Sequence, residues 1–330
     1  MSRPGGEPTR REAVYRAYWH LACERQRIFF GRLARDPAPW TEDPILSTYR
    51  FCNAYRASDR VSQYLIREVI YRHAHELTPE DLLLRIVLFR LFSKEATWEL
   101  MEQATAAGRI TAGGYSQDLG RIDEALSAAM QAQTRIYTSA FILCANNHFG
   151  HARKHSNHLA LVEHMMTALP GTVARCGSLR ELYELLLAYP LIGPFMAYQI
   201  ATDINYSELV DFDEQSFTVA GPGAVRGIRK VFANTAGWND ADIIHWMADR
   251  QTDELDRLDL DFRPLWGRPL QAIDIQNLFC ETDKYSRVAF PQLASNRVKI
   301  KQRFAPHAPP PAPYYPPKWG LAGPGLADRP

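Results

Sequence analysis

From Arg11 to about Ile300 the apolar residues recur three and four positions apart, and runs that alternate with polar residues are few. A chain with this period buries its hydrocarbon along helical stripes rather than sheet faces, so the expected fold class is all-α. The strongest single helix start is at 78–81. Thr78 is an N-cap residue, Pro79 suits the first helical position and Asp81 can bond back to the cap, ahead of an apolar run from Leu82 to Phe92. Further helices are expected at about 11–34, 53–74, 94–107, 116–149, 157–168, 178–188, 194–205, 222–233, 240–249 and 270–281. No internal repeat at a fixed period is visible. A length of 330 residues, 46% of them hydrophobic, is enough for a sizeable core. Nine of the 22 prolines fall between Pro306 and Pro330, so the C-terminal tail, 305–330, is expected to be extended and solvated. The resulting organisation is an N-terminal helical extension (1–44), a helical domain (45–304) and the Pro-rich tail.

The charge balance removes one class of function. Lys and Arg number 38 against 37 Asp and Glu, a formal net charge of +1, so no global positive field draws polyanions and any nucleic-acid binding must come from a local patch. The best such patch is Arg297, Lys299, Lys301 and Arg303, which alternate with Val298, Ile300 and Gln302 and would share one side of an extended segment. A solvated charged edge explains the same pattern. The five cysteines, Cys23, Cys52, Cys144, Cys176 and Cys280, are odd in number and lack C-x-x-C spacing. That argues against a disulfide framework or a zinc finger and points to a reducing, intracellular compartment. No apolar stretch follows the N-terminal charges and no eighteen uncharged apolar residues run together, so neither a secretion signal nor a membrane span is expected. No G-x-x-x-x-G-K-[ST] occurs, so the polypeptide by itself is not a P-loop kinase.

Residues 185–204 read as a helix, a tight turn at Pro190–Gly193 and a second helix from Pro194. Such a turn aims backbone N–H groups at an anion, which suits Leu191, Ile192 and Gly193 to a DNA phosphate. The segment resembles the helix-hairpin-helix of base-excision DNA glycosylases, keeping Pro190, Gly193 and Ala197 and departing at Leu191, where that family has glycine. Asp213, eighteen residues beyond Phe195, falls where the resemblance implies a catalytic aspartate. A carboxylate there can stabilise developing positive charge or take a proton. Phe195 stands in place of the lysine of lyase-active members, and no four-cysteine cluster follows, so neither lyase chemistry nor an iron–sulfur cluster is expected.

Three further segments are dense in functional groups. Gly221-Pro222-Gly223 feeding a helix with Arg226, Arg229 and Lys230 reads either as a phosphate cradle or as a tight turn. Asp274, Asn277 and Glu281 share a helical face that Lys284 extends, with Gln276, Tyr285 and Arg287 close by. Asn53, Arg56, Arg60 and Gln63 would line one face of a helix suited to phosphate, with Asp59 placed to orient Arg56. His148, His151, His155 and His158 recur at helical spacing. Gly150 and Asn146-Asn147 interrupt that helix and no carboxylate accompanies the imidazoles, so a polar, DNA-facing or surface stripe is expected rather than a metal site.

Taken in order, F-x-N-x-x-R-x-x-D-R, I-G-P-F-x-A-Y-Q, G-P-G-A-x-x-G-I and D-I-Q-N-x-x-C-E-x-x-K-Y-x-R resemble the α-glutamyl/putrescinyl-thymine pyrophosphorylases, also described as amino acid:DNA transferases, and the related helical domain of 5-hydroxymethyl-deoxyuridine DNA kinases. The resemblance spans roughly 45–290. It implies a helix-hairpin-helix, DNA-glycosylase-like helical fold that acts in thymine hypermodification of phage-type DNA, in the cytoplasm of a bacterial or phage-infected cell, and displaces pyrophosphate from pyrophosphorylated 5-hydroxymethyluracil with an amine or amino acid. Its partners would be DNA containing modified thymine, the amine co-substrate and a 5-hydroxymethyl-deoxyuridine DNA kinase. The implied catalytic residues are Asp213, Glu281 and Lys284. Asn53, Arg56, Asp59, Arg60, Gln199, Gly221, Gly223, Arg226, Asp274, Gln276, Asn277, Tyr285 and Arg287 would bind substrate and phosphate, and Leu191–Gly193, Arg297, Lys299 and Lys301 the DNA backbone. No cofactor or metal is required, although Mg²⁺ commonly accompanies pyrophosphate. Two alternatives stay open: a non-catalytic DNA-binding helical module that partners such a kinase, and a monofunctional DNA N-glycosylase.

Overall fold

The computed structural model describes residues 6–138, 147–293, 297–305, 311–328 and 330. Fourteen α-helices are found among them: α1 (Glu12–Leu33), α2 (Pro44–Thr48), α3 (Arg60–Tyr64), α4 (Pro79–Phe92), α5 (Glu95–Ala104), α6 (Ala112–Gln131), α7 (Lys154–Met166), α8 (Leu169–Val173), α9 (Leu179–Leu187), α10 (Pro194–Ile204), α11 (Pro222–Val231), α12 (Asp240–Asp249), α13 (Gln251–Arg257) and α14 (Ala272–Ala289). The fold is all-α; the strands β1 (Thr9–Arg10) and β2 (Phe232–Asn234) form a small antiparallel ladder. The helix expected at 116–149 is shorter: α6 ends at Gln131, and 132–138 and 147–149 are not helical, while 139–146, with Cys144, lie outside the described residues. Among the described residues no helix is long and apolar enough to cross a membrane.

The chain divides into two compact units, each assembled from separated segments. The first comprises Met1–Asp59, Glu214–Pro313 and Trp319–Asp328. Its core is aromatic: Tyr15 meets Phe232 edge-on, Tyr18 packs on Phe279, and Phe232 contacts Trp246. The Tyr18 hydroxyl donates to the Ile275 carbonyl at 3.0 Å, so this buried ring keeps its polar end satisfied. Helix α1, read from the sequence as an extension, therefore supplies core side chains to α14 and β2. The end of the 297–305 segment, 302–304, pairs with another stretch of backbone. It runs antiparallel to 48–50, with Phe304 N–H donating to the Thr48 carbonyl and Arg50 N–H to that of Gln302. Ile300 packs toward a core cluster while Lys299 and Lys301 stay exposed.

The second unit comprises Arg60–Asp213, Tyr314–Lys318 and Arg329–Pro330. Helix α4 begins with the reciprocal Thr78–Asp81 capping box and is buried from Asp81 to Phe92. A helix apolar on every face belongs at the centre of its unit. Its two buried arginines are each paired, Arg85 with Glu102 at 2.6 Å and Arg90 with Asp203 of α10. Helices α9 and α10 flank the hairpin. At its turn Leu191 has φ +66°, the left-handed conformation that glycine would adopt without strain, at a cost of about 1 kcal/mol for leucine.

Two expectations need correction here. The Pro-rich tail is not solvated throughout. In the second unit Tyr314 exchanges two hydrogen bonds with the Gln63 amide and Lys318 Nζ donates to the Ser207 and Val210 carbonyls. In the first unit Arg268 lies 3.9 Å over the Trp319 ring and Trp266 Nε1 donates to the Pro324 carbonyl. Aromatic rings and one cation between the prolines find partners, and prolines cost little further entropy to order; residues 306–310 lie outside the described residues. The histidines form no surface stripe either. Helix α7 starts only at Lys154, and His155 and His158 are buried, where Ser127 Oγ meets His155 Nε2 at 3.0 Å and Tyr137 Oη meets His158 Nδ1 at 2.8 Å. Burial pushes His158 down to about 4.

Candidate functional site

Helix α14 organises the first unit's polar chemistry. Its start is fixed by a capping box in which Gln271 N–H donates to Asp274 Oδ2 at 2.9 Å. The other carboxylate oxygen accepts Arg56 N–H at 2.7 Å. Asp274 thus serves two backbone donors and ties the 3₁₀ turn Arg56–Ser58 to the head of α14; burial pushes its pKa up to about 7.

The carboxylate face of α14 meets the 51–59 segment. Glu281 Oε2 accepts Cys52 N–H at 2.9 Å and pairs with Lys284 Nζ at 2.6 Å. Glu281 Oε1 accepts no hydrogen bond among the described residues. Lys284 Nζ lies 4.5 Å over the Phe51 ring. Across the segment, Asp59 Oδ1 accepts Asn53 N–H at 2.8 Å, and Asn53 Nδ2 donates to the Ser58 carbonyl at 2.7 Å. Arg25 of α1 closes the group, donating through Nε to the Cys52 carbonyl and through Nη2 to Asn53 Oδ1.

These bonds explain why the helix expected at 53–74 begins only at Arg60. Asn and Asp side chains offer the backbone local partners that compete with helix, so Asn53 and Asp59 hold an irregular loop and α3 starts at Arg60. Asn53, Arg56, Arg60 and Gln63 therefore share no helical face. Arg56 is buried, Arg60 is exposed and paired with Glu95 at 2.8 Å in the second unit, and the Asp59 carboxylate serves Asn53 N–H rather than orienting Arg56.

Burial, reinforced by the Glu281 charge, pushes Asp59 up to about 6. A carboxyl whose folded pKa is raised binds its proton more tightly than in the unfolded chain. Its charge therefore destabilises the fold above about pH 6, and the penalty fades as pH falls through 6 toward 4. The rise corresponds to at most about 3 kcal/mol. Asp59→Asn keeps an acceptor for Asn53 N–H, so its melting temperature should exceed that of the parent at pH 8 and lose this advantage as pH falls below about 4. Equal melting at pH 8 would mean that Asp59 is solvated.

The adjacent face of α14 packs on α11. A Cβ on Gly227 would stand 2.0 Å from the Phe279 carbonyl oxygen, and one on Gly223 would stand 2.9 Å from Cys280 Sγ. The glycines of G-P-G-A-x-x-G thus let two helix backbones approach, with Gly221 as the N-cap of α11. Along this seam Asp283 meets Arg226 Nε at 3.2 Å, Lys230 Nζ at 3.0 Å and Arg287 Nη2 at 2.8 Å.

The remaining expected residues lie as follows. Gln276 is buried, its Nε2 donating to Asn277 Oδ1 at 3.2 Å. Tyr285 Oη donates to Asp43 at 2.7 Å, the carboxylate that caps α2. In the second unit Gln199 is buried in α10 and Asp213 is exposed beyond it. Sequence reasoning missed Arg25 and Asp283, and named Lys230 only beside Arg226 and Arg229 after the Gly221-Pro222-Gly223 turn. The available signals were a cation within the buried stripe of α1, four after Leu21 and three before Ile28, and the i,i+4 pairs Arg226/Lys230 and Asp283/Arg287. Among the described residues no three His, Cys, Asp or Glu side chains gather as a metal centre needs.

The sequence model for the helical domain of 5-hmdU DNA kinases matches residues 12–295. The chain belongs to this family. It is also similar to the 5-hmdU DNA kinase of Bacillus phage SP10, 27% identical over 298 residues that cover 84% of this chain and 46% of that protein. The chain thus spans under half the length of that relative. No solved structure matches it.

Proposed function

We propose that this member of the kinase helical-domain family acts on 5-hydroxymethyluracil in DNA, displacing pyrophosphate from the pyrophosphorylated base with an amine or amino acid. The observation that carries the reading is Glu281. It is buried at the centre of a polar cluster, held through Oε2 by Cys52 N–H and Lys284, and its Oε1 accepts no hydrogen bond among the described residues. In the reaction the bond between the C5 methylene carbon and the pyrophosphate oxygen breaks and its electron pair leaves with pyrophosphate. The amine nitrogen bonds to that carbon and gives up a proton. Glu281 Oε1 accepts the proton, and Lys284 and Arg226 neutralise the leaving group. The hairpin turn at Leu191–Gly193 and the Arg297–Arg303 ribbon each offer contacts to the DNA backbone. Any Mg²⁺ would arrive with the pyrophosphate, as part of the substrate.

Incubation with pyrophosphorylated hydroxymethyluracil DNA and a panel of amines, followed by digestion and nucleoside mass spectrometry, is expected to yield an aminated nucleoside. Glu281→Gln should slow its appearance by about 10²-fold or more, the usual scale of a lost proton acceptor. If no amine is incorporated, or Glu281→Gln is as fast as the parent, this reaction is wrong.

A second reading, a non-catalytic DNA-binding helical module that partners a 5-hydroxymethyl-deoxyuridine DNA kinase, is favoured by the family itself. It predicts no amination. Addition of the chain should instead stimulate phosphorylation of hydroxymethyluracil DNA by the kinase.

A further inference from the structure

We propose that the seam between α11 and α14 is an oxyanion site that takes a phosphate-type group, with Arg226, Lys230 and Arg287 as its donors. The proposal deepens the reading above and rests on it for the origin of the anion. Two i,i+4 pairs face each other here, Arg226 and Lys230 on α11 and Asp283 and Arg287 on α14, brought together because Gly227 lets α11 reach the Phe279 backbone. Three cations converge on one fully buried carboxylate, at 3.2, 3.0 and 2.8 Å. Among the described residues no second carboxylate pairs with any of the three, so the cluster carries two surplus positive charges in a poorly solvated seam. Lys230 spends a further hydrogen bond on the Asp283 carbonyl and Arg287 on the Lys299 carbonyl, yet Arg287 Nε is buried without an acceptor. Arg226, 27% exposed, is the open edge.

The same unit contains a cluster of equal cation count that is balanced. Glu254 gathers Arg10, Arg250 and Arg257, but Glu7 pairs with Arg250 and Glu12 with Arg257, giving three carboxylates for three arginines. The Asp283 cluster lacks those two acids, and a doubly charged oxyanion has the missing charge. Guanidinium groups also match the geometry of phosphate oxygens. That anion can be the pyrophosphoryl group of a modified base or a phosphate of the DNA backbone.

Two probes separate the sources: inorganic pyrophosphate, and an unmodified DNA duplex, each titrated calorimetrically into the full chain. Pyrophosphate is expected to bind, with Arg226→Gln and Arg287→Gln each weakening it by about tenfold. Arg226→Lys should restore part of the affinity, and Arg257→Gln in the balanced cluster should have no effect. Loss of duplex affinity in the same two variants, without pyrophosphate binding, also supports the site and assigns it to backbone phosphate. The proposal falls if neither probe binds, or if the Arg226→Gln/Arg287→Gln double variant binds both as the parent does. Pyrophosphate binding without amination would keep the site and remove the transfer reaction. Amination by the double variant at the parental rate would keep the reaction and remove the site.

Discussion

Gly227→Ala is expected to destabilise the first unit by about 3 kcal/mol, near the upper end of ordinary overpacking, and to lower its melting temperature by roughly 6–12 °C. The added methyl would stand 2.0 Å from the Phe279 carbonyl oxygen, 2.7 Å from its carbon and 3.1 Å from its Cα. All three are backbone atoms of α14, so no side chain can rotate to relieve the clash, and the two helices must separate. Gly227 lies between Arg226 and Lys230, so separation draws both cations away from Asp283. The variant should therefore lose anion affinity along with stability. Gly223→Ala tests the distinction, since its Cβ would first meet Cys280 Sγ at 2.9 Å, a side-chain atom that can move. Its cost should be smaller, about 1 kcal/mol. Thermal melts of the two variants decide the matter: if Gly227→Ala melts with the parent, the close approach of α11 to α14 is incorrect.

The same glycines show where reading the chain stops short. Capping chemistry and apolar period are local, so the Thr78–Asp81 start of α4 and the extents of α1, α10, α11 and α12 could be read to within a few residues. Helices α2, α8 and α13, of five to seven residues, are too short to show a period and went unread. The stripe of Asp274, Asn277, Glu281 and Lys284 was legible because all four share one helix. Its partners were not, because Cys52 and Arg56 reach α14 from more than 200 residues away in sequence. Gly223 and Gly227 look alike for a phosphate cradle and for a close helix crossing, and only the position of Phe279 separates the two. The 53–59 loop misled for a different reason: helical spacing of Asn53, Arg56 and Arg60 was real, but Asn53 and Asp59 bind the loop's own backbone more favourably than a helix would allow.

Asp203→Ala should be the most damaging single change in the second unit, at about 3–5 kcal/mol, because it leaves a guanidinium buried without its counter-charge. Arg90 and Asp203 are almost completely buried. The carboxylate takes both Nε and Nη2 of the arginine, the latter at 2.9 Å, joining the central helix α4 to α10. Arg90 Nη1 also reaches Ser93 Oγ at 3.3 Å, where α4 ends in a left-handed residue. Loss of the carboxylate therefore disturbs a helix terminus as well as a helix pair. Arg90→Met should be costly for the converse reason, since it strands Asp203. The pair itself need not be strongly stabilising, because burying both charges offsets most of their attraction. The double variant Arg90→Met/Asp203→Leu should therefore recover much of what either single change loses, giving a coupling of several kcal/mol in a double-mutant cycle. Additive losses would mean that water reaches the pair. Helix α10 follows directly from the Leu191–Gly193 turn, so the same melts, run alongside DNA titrations, also test whether the pair keeps the hairpin in place: Asp203→Ala should weaken duplex binding at temperatures where the rest of the unit is still folded.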